Sequence, residues 1–177
     1  MTSKIKPKVI ERKPVFSEEY IGVEEVKLDL GNKTKTIYSA TYPEVVKIIP
    51  ILDNETVILA EEYRPTIDKT LLEIPGGKIT KGENLEKAAK RELVEEIGYD
   101  CKTLKKLITY YLLPGLTTTK VHIYAARELT KQTQNLDEDE YISAKETKVK
   151  DIPKLIENGK IADSFSIIGL LIHLNKK

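Results

Sequence analysis

A spaced set of glycine, glutamate and arginine residues between positions 77 and 99 constrains this chain more than any other segment. Five residues separate Gly77 from Glu83, and seven more precede the run RELVEEIG at residues 91–98. At a background frequency of about 6% per residue, seven fixed letters coincide at a given start about once in 10⁸ to 10⁹. The spacing is therefore a motif and not a chance product of a lysine- and glutamate-rich chain.

The motif predicts one helix over residues 85–97. This stretch is rich in Ala, Leu, Glu and Lys, and Gly98 stands where a helix commonly ends. Glu92, Glu95 and Glu96 are three and four residues apart, so a helix places their carboxylates on one face. Such carboxylates repel one another unless cations lie among them, and oxygen ligands of this kind suit Mg²⁺ or Mn²⁺. A solvated acidic face paired with nearby lysines is the alternative.

A glycine loop comes directly before the motif, in the run Pro75-Gly76-Gly77. Glycine tolerates backbone conformations that other residues avoid, so this loop can approach a ligand closely. Together the loop and the spaced residues resemble the Nudix box, the signature of a family that hydrolyses nucleoside diphosphates linked to another moiety. The last position of the box is usually aliphatic, and this chain has Tyr99 there.

The resemblance implies roles for the residues of the box. The main-chain carbonyl of Gly76 is expected to join Glu92 and Glu96 as a ligand of Mg²⁺, or of Mn²⁺. Glu95 is expected to be a further ligand or a catalytic group. The remaining box residues are expected to be structural, orienting the loop against the helix: Gly77, Glu83 and Arg91.

Two further segments resemble the ADP-ribose pyrophosphatases and ADP-sugar diphosphatases within this family. The run AEEYRP, residues 60–65, stands shortly before LEIPGG, and in that subfamily the arginine matching Arg64 contacts a substrate phosphate. A guanidinium suits this task because it binds phosphate oxygens bidentately. Gly115 lies in a Pro-Gly turn that the subfamily carries in its substrate pocket. Threonines follow that turn here where bacterial members often have glutamates, which leaves the substrate range open.

An acidic run, residues 137–140, is the second constellation of carboxylates. In the subfamily a glutamate on a mobile loop at this place acts as the base or completes the metal site. A loop can bring such a group in when the substrate binds. By register Glu140 matches best, and Glu138 is the alternative.

Composition limits the other classes of function. A net charge of +1 with 32% charged residues gives no basic field for nucleic acid. The first residues lack an apolar run of signal-peptide length, and no run is long enough to span a membrane. One cysteine, Cys101, excludes an intramolecular disulfide, and we expect a cytoplasmic protein.

The apolar patterns of this 177-residue chain predict the α/β (α+β) fold class. Residues 1–42 are expected to form an antiparallel β region of three strands. For residues 43–177 the resemblance implies a Nudix-type α/β/α sandwich on a mixed sheet. Residues 45–52 and 57–63 are expected to pair as a hairpin around Asp53-Asn54. The subfamily forms swapped dimers through such N-terminal strands, so we expect a homodimer in which Tyr20 or Tyr38 stacks on an adenine.

The resemblance implies metal-dependent hydrolysis of the diphosphate of ADP-ribose or a related ADP-sugar, a small-molecule substrate, to AMP and a sugar phosphate. One alternative is a Nudix hydrolase for another nucleoside diphosphate derivative, such as a different sugar, a dinucleoside polyphosphate or an oxidised nucleotide. The other is a nucleotide-sensing module without catalysis. Such modules typically lose box carboxylates, and this chain retains them.

Overall fold

A computed structural model describes residues 6–136 and 141–175 of the chain. The chain forms two compact units. In the described chain the first comprises residues 6–44 and 110–120, and the second comprises residues 45–109, 121–136 and 141–175.

The first unit contains the three N-terminal strands that the sequence predicts. Strands β1 (Lys8–Ser17), β2 (Gly22–Asp29) and β3 (Thr34–Thr41) form one antiparallel sheet in that order. Gly31 adopts a φ of 86° in the turn between β2 and β3, a conformation that favours glycine. Every residue of β1 is exposed within the single chain.

A second segment of the chain, residues 110–120, completes this unit. The Ala40 N–H donates to the Leu116 carbonyl at 2.8 Å, and the Thr119 hydroxyl donates to the Tyr42 carbonyl at 3.0 Å. The sequence interpretation placed a boundary near residue 42 and assigned this segment to the hydrolase domain. This segment pairs with β3, which is far from it in the sequence. Apolar periodicity gives no information about pairing between distant segments.

The second unit holds the remaining strands and all the helices of the described chain. Strands β4 and β8 are parallel neighbours, with β7 beside β8, while β5 lies between β6 and β9 in antiparallel pairing. The ends of β7 and β8 are counted with the first unit. The elements are β4 (Val45–Pro50), β5 (Thr56–Arg64), β6 (Lys69–Glu73), α1 (Leu85–Ile97), β7 (Tyr99–Tyr111), β8 (Lys120–Lys131), β9 (Ile142–Lys148), a 3-10 turn (Val149–Asp151), α2 (Ile152–Glu157) and α3 (Ser164–Leu174).

The predicted hairpin of residues 45–52 and 57–63 is wrong. A turn does form there, with the Glu55 N–H donating to Asp53 Oδ1 at 2.7 Å. However, β4 pairs with β8 and β5 pairs with β6 and β9, so only an isolated bridge between Ile51 and Val57 joins the two segments. All six residues of β4 are buried. A strand buried on both faces is typical of parallel pairing inside a layered fold.

Helix α1 has the bounds that the sequence predicts. The Asn84 side chain accepts hydrogen bonds from the N–H groups of Glu86 and Lys87, and Gly98 ends the helix with a φ of 69°. The helix packs on β4, β5 and β9, while α3 packs on β4. Apolar residues of α1 share a core with β4 and β5: Ala88, Ala89, Leu93, Ile97, Val46, Ile48, Ile58 and Ala60.

The architecture agrees with the predicted fold class, since strands and helices are mixed and the sheets contain both parallel and antiparallel pairs. Among residues 6–136 and 141–175, no helix is long and apolar enough to cross a membrane.

Candidate active site

Two carboxylates of α1 are buried in the second unit. Glu92 is 7% exposed and Glu96 is 6% exposed, on the helix face that also buries Ala88, Ala89 and Leu93. Burial raises the pKa of Glu92 to about 7, and the charge of Glu96 acts in the same direction against the lowering effect of Arg91. Like charges buried together are costly, and Arg91 offsets only part of this cost at Glu92, so this face is suited to a further positive group.

The glycine loop lies against this face. The Gly76 N–H donates to Glu96 Oε2 at 2.8 Å, and the carbonyls of Pro75 and Gly77 accept from β4. Gly76 has a φ of 129°, and a Cβ at that position would collide with the Val46 carbonyl oxygen. Only glycine therefore fits between β4 and the carboxylate of Glu96.

Arg91 connects the helix, the loop and the start of the box. Its guanidinium donates to Glu83 through two nitrogens, at 3.0 and 3.2 Å, and to the Lys78 carbonyl at 3.2 Å. Its Nη1 also lies 2.7 Å from Glu95 Oε2 and 2.9 Å from Glu92 Oε1. The structure thus places Glu83 beside Arg91 and draws the Glu95 carboxylate towards the same guanidinium.

The donor set fits a divalent cation held by oxygen ligands. Glu92 and Glu96 supply two buried carboxylates next to the main chain of Gly76. Among the described residues, no three His, Cys, Asp or Glu side chains converge closely enough to hold a metal ion by themselves. Mg²⁺ commonly takes one or two carboxylates and completes its shell with water and substrate phosphates, so two buried glutamates and a carbonyl are an adequate protein share.

Arg64 lies at the end of β5 in a carboxylate clamp that the sequence interpretation missed. Its Nε and Nη2 donate to the two oxygens of Glu73 at 2.9 and 2.6 Å, and its Nη1 lies 2.7 Å from Glu62 Oε1. Alternation along β5 puts residues 62 and 64 on one face, and Glu73 stands opposite Ala60 on the same face. Glu62 stands two residues before Arg64 in the run AEEYRP, and this spacing could have predicted that Glu62 lies beside Arg64.

The charge of Glu62 is also coupled to that of Glu96 in the box. Burial raises the pKa of Glu62 to about 7, and the charges of Glu96 and Glu73 add to this while Arg64 and Lys47 oppose it. Burial also raises the pKa of Glu73, but the hydrogen bonds of Arg64 and the charge of Lys47 together hold it below its usual value. The clamp and the α1 glutamates therefore form one electrostatic network.

The other residues predicted for the site belong to the first unit or lie outside the described chain. Gly115, Tyr20 and Tyr38 belong to the first unit, where Tyr20 is 46% and Tyr38 is 58% exposed. Glu138 and Glu140 lie outside the described residues.

Comparison with known proteins identifies the family. The NUDIX domain model matches residues 41–165. The chain is 34% identical over 164 residues to "ADP-ribose pyrophosphatase" of Bacillus subtilis, covering 90% of this chain and 88% of that protein. It is 32% identical over 167 residues to "Methanol dehydrogenase activator" of Bacillus methanolicus, covering 92% and 90%.

A solved structure agrees with these matches in fold. The "Crystal structure of ADP compounds hydrolase" superposes with a TM-score of 0.87 at 25% identity, covering 99% of this chain and 96% of that one. The chain belongs to the NUDIX family and is a Nudix hydrolase.

Proposed function

We propose that this enzyme hydrolyses the diphosphate of ADP-ribose or a related ADP-sugar, giving AMP and a sugar phosphate. The observation that carries the proposal is the burial of Glu92 and Glu96 against the Gly76 loop, a paired-carboxylate site for a cation that can hold a diphosphate. The names of the relatives support the substrate class, since two of the proteins compared above are named for ADP-ribose or ADP compounds.

The proposed cation is Mg²⁺, with Mn²⁺ as the alternative, held by Glu92, Glu96, Glu95 and the Gly76 carbonyl. When bound, a divalent cation neutralises the diphosphate and lowers the pKa of a coordinated water. Glu95 Oε2 lies 2.7 Å from Arg91 Nη1, so Glu95 would bind the cation through Oε1 or release Arg91. Arg91 would then keep its bonds to Glu83 and Lys78 and continue to fix the loop.

The remaining chemistry falls to two other groups. Glu140, or Glu138 in its place, takes the proton of the attacking water. Arg64 binds a phosphate oxygen of the substrate through the N–H groups that its contacts with Glu73 and Glu62 leave over.

We further propose that two chains associate through their N-terminal strands, residues 1–42, and that residues 43–177 act as the hydrolase domain. Tyr20 or Tyr38 would stack on the adenine, with Gly115 in the substrate pocket. Large apolar side chains on the N-terminal strands support this proposal, since Val9, Val15 and Phe16 are each at least 50% exposed in the single chain. The proposed partner is thus a second copy of the same chain. We propose a cytoplasmic enzyme that binds neither nucleic acid nor a membrane.

A second candidate is the hydrolysis of another nucleoside diphosphate derivative. Thr117, Thr118 and Thr119 follow Gly115 in place of the expected acidic residues, and this change supports a different substrate range.

The test is release of AMP from a panel of ADP-ribose, other ADP-sugars, dinucleoside polyphosphates and nucleoside triphosphates, with Mg²⁺, Mn²⁺ or EDTA. The proposal expects the highest kcat/KM with an ADP-sugar, loss of turnover in EDTA and its return with metal. Glu96→Gln should lower kcat by about 10²-fold or more in a protein that still folds. A nucleoside triphosphate as the best substrate would overturn the substrate assignment, and activity of Glu96→Gln within about threefold of the wild type would remove Glu96 from the site.

A further inference from the structure

Two carboxylates share the single guanidinium at the end of β5. Glu73 accepts from Arg64 Nε and Nη2 at 2.9 and 2.6 Å, and Glu62 Oε1 lies 2.7 Å from Arg64 Nη1. Both glutamate side chains are largely buried, at 14% exposed for Glu62 and 3% exposed for Glu73. Since the bidentate contact with Glu73 already neutralises Arg64, an ionised Glu62 gives the three side chains a surplus negative charge.

The contact with Arg64 also limits how far Glu62 can lie from a bound phosphate. The contacts with Glu73 and Glu62 leave at least one N–H of Nη1 and one of Nη2 for a ligand. A phosphate oxygen that accepts from Nη1 lies about 2.8 Å from that nitrogen. Added to the 2.7 Å between Nη1 and Glu62, this places the oxygen at most about 5.5 Å from Glu62 Oε1. Negative charges at this separation repel each other where little water screens them.

The charge of a phosphate differs between an internal linkage and a free end. Each phosphate of a diphosphate that joins two organic groups has one ionised oxygen. A terminal phosphate has a second ionised oxygen above about pH 7, because its second pKa is about 6. Hydrolysis of the linkage adds one water and yields two terminal phosphates, each of which gains the second charge and releases a proton. Repulsion by Glu62 is therefore weaker for an uncleaved diphosphate than for a terminal phosphate.

We propose that Glu62 is a specificity-determining residue whose carboxylate, held beside Arg64, disfavours a terminal phosphate there. The enzyme thereby selects a phosphate inside a diphosphate linkage and releases its products. This inference rests on the role of Arg64 as a phosphate ligand in the proposed function. It differs from a purely structural role for Glu62, in which the carboxylate would only hold Arg64 in place and its loss would affect all phosphate ligands alike.

The test uses two pairs of competitive inhibitors whose members differ by one charge. AMP is compared with its methyl ester, and ribose 5-phosphate is compared with its methyl ester, so the pairs cover both halves of the substrate. Each inhibition constant is measured against ADP-ribose hydrolysis at fixed Mg²⁺ and about pH 8.5, where both the monoesters and Glu62 are ionised. Burial raises the pKa of Glu62 to about 7, below the pH of the assay. The measured quantity is the ratio of the inhibition constant of the monoester to that of its methyl ester.

Glu62→Gln should lower this ratio about tenfold for the phosphate that Arg64 holds, because it removes the repulsion of one unit of charge. Glu62→Asp retains the charge, so its ratio should stay closer to that of the wild type than to that of Glu62→Gln. Glu61→Gln is the matched control, since strand alternation points Glu61 away from Glu62 and towards an exposed ion pair with Lys145. A role of Glu62 in stability alone would shift the unfolding temperature and leave the ratio unchanged in every variant.

Three results would overturn the inference. The first is a ratio in Glu62→Gln within about threefold of the wild type for both inhibitor pairs, and the second is the same shift in Glu61→Gln. The third is a kcat in Glu62→Gln more than about tenfold below the wild type, since Glu62 would then act in the reaction itself. If Glu62→Gln does not fold, Glu62→Ser is compared in the same way.

The two proposals fail differently. If another compound of the panel is hydrolysed best, the ADP-ribose assignment is wrong, and the inhibitor pairs are measured against that compound. If no compound is hydrolysed, the proposed function is wrong, and calorimetric titration of the same pairs still decides the role of Glu62. If Arg64→Ala binds AMP and ribose 5-phosphate as tightly as the wild type does, the inference about Glu62 is overturned while the hydrolytic activity stands.

Discussion

The Cα of Gly77 faces the carboxylate of Glu92 so closely that a Cβ there would lie 2.8 Å from both Oε1 and Oε2. A methyl group at this distance displaces or desolvates the carboxylate that is proposed to hold the cation. The glycine is thus required by the position of the glutamate, 15 residues further along the chain.

Gly77→Ala tests this relationship. We expect kcat to fall at least about tenfold and half-maximal activity to need more Mg²⁺, because the Glu92 carboxylate must move. Gly82→Ala is the control, since a Cβ there meets no atom within 4 Å and its φ of 85° costs only backbone strain of about 1–2 kcal/mol. A Gly77→Ala enzyme with wild-type metal dependence would show that Glu92 does not hold the cation.

The helix of this site was predictable because its signals are local. Capping by Asn84, the Ala- and Leu-rich face and Gly98 lie within 15 residues and give α1 the bounds that the sequence predicts. The pairing of β4 was not predictable in the same way. Its partner β8 begins 70 residues after the end of β4, and the adjacent turn at Asp53 indicates a hairpin that does not form.

The carboxylate clamp illustrates the same limit in the site itself. The sequence indicates Arg64 as a phosphate ligand, but its partner Glu73 comes from β6 and depends on the register of β6 with β5. Residue types were therefore readable from the sequence, and their electrostatic partners were not.

The metal-free protein should lose stability as the pH rises from about 4.5 to 7.5. Glu92 and Glu62 have pKa values raised to about 7 by burial, above the value near 4.3 in an unfolded chain. A raised folded pKa gives stability that is complete below the unfolded pKa and lost as the pH passes the folded pKa, on the order of 3 kcal/mol for one such group. Denaturant unfolding in EDTA across this range measures the effect.

Two comparisons sharpen that measurement. Glu92→Gln should reduce the fall of the unfolding free energy with rising pH, because a glutamine side chain does not ionise. Millimolar Mg²⁺ should restore stability at pH 7.5 in the wild type, since the cation binds the ionised carboxylates. A wild-type unfolding free energy that is constant from pH 4.5 to 7.5 in EDTA would contradict the raised pKa values of these two buried glutamates.

Gln134 connects the chain after β8 to the end of α1. Its Nε2 donates to the Glu96 carbonyl at 2.5 Å and to the Ile142 carbonyl at 3.4 Å, while the Asn135 N–H donates to the Glu95 carbonyl at 3.3 Å. These donors satisfy carbonyls that a helix end leaves open. Gln134→Ala should lower the unfolding free energy by about 1 kcal/mol and weaken Mg²⁺ activation through the last turn of α1.

Gln132→Ala is the matched control for this change. Gln132 uses its main-chain N–H to donate to the Gly98 carbonyl at 2.8 Å, and alanine retains that donor. Equal metal dependence in both variants would show that the side-chain bond of Gln134 does not position Glu96.

The base is tested by two substitutions in the acidic run. Glu140→Gln should lower kcat by about 10² to 10⁴-fold with little change in KM, and it should flatten the acid limb of the pH–rate profile. Glu138→Gln serves as the comparison, because it removes the same charge two residues away. If kcat falls in Glu138→Gln instead, the assignment of Glu140 as the base is wrong. If neither variant changes kcat, neither glutamate is the base.

Association of two chains is expected from the N-terminal sheet. Ile10 and Phe16 of β1 are 53% and 50% exposed, and exposed apolar strands favour pairing with another surface. Ile10→Glu with Phe16→Glu should convert a dimer to monomers in analytical ultracentrifugation, because two charges would be buried at the contact. Deletion of residues 1–42 should do the same and raise KM for ADP-ribose by at least about tenfold, as half of the proposed adenine site is lost. Wild-type protein that sediments as a monomer at micromolar concentration would exclude the dimer, and a monomeric double variant with unchanged KM would place the adenine site within one chain.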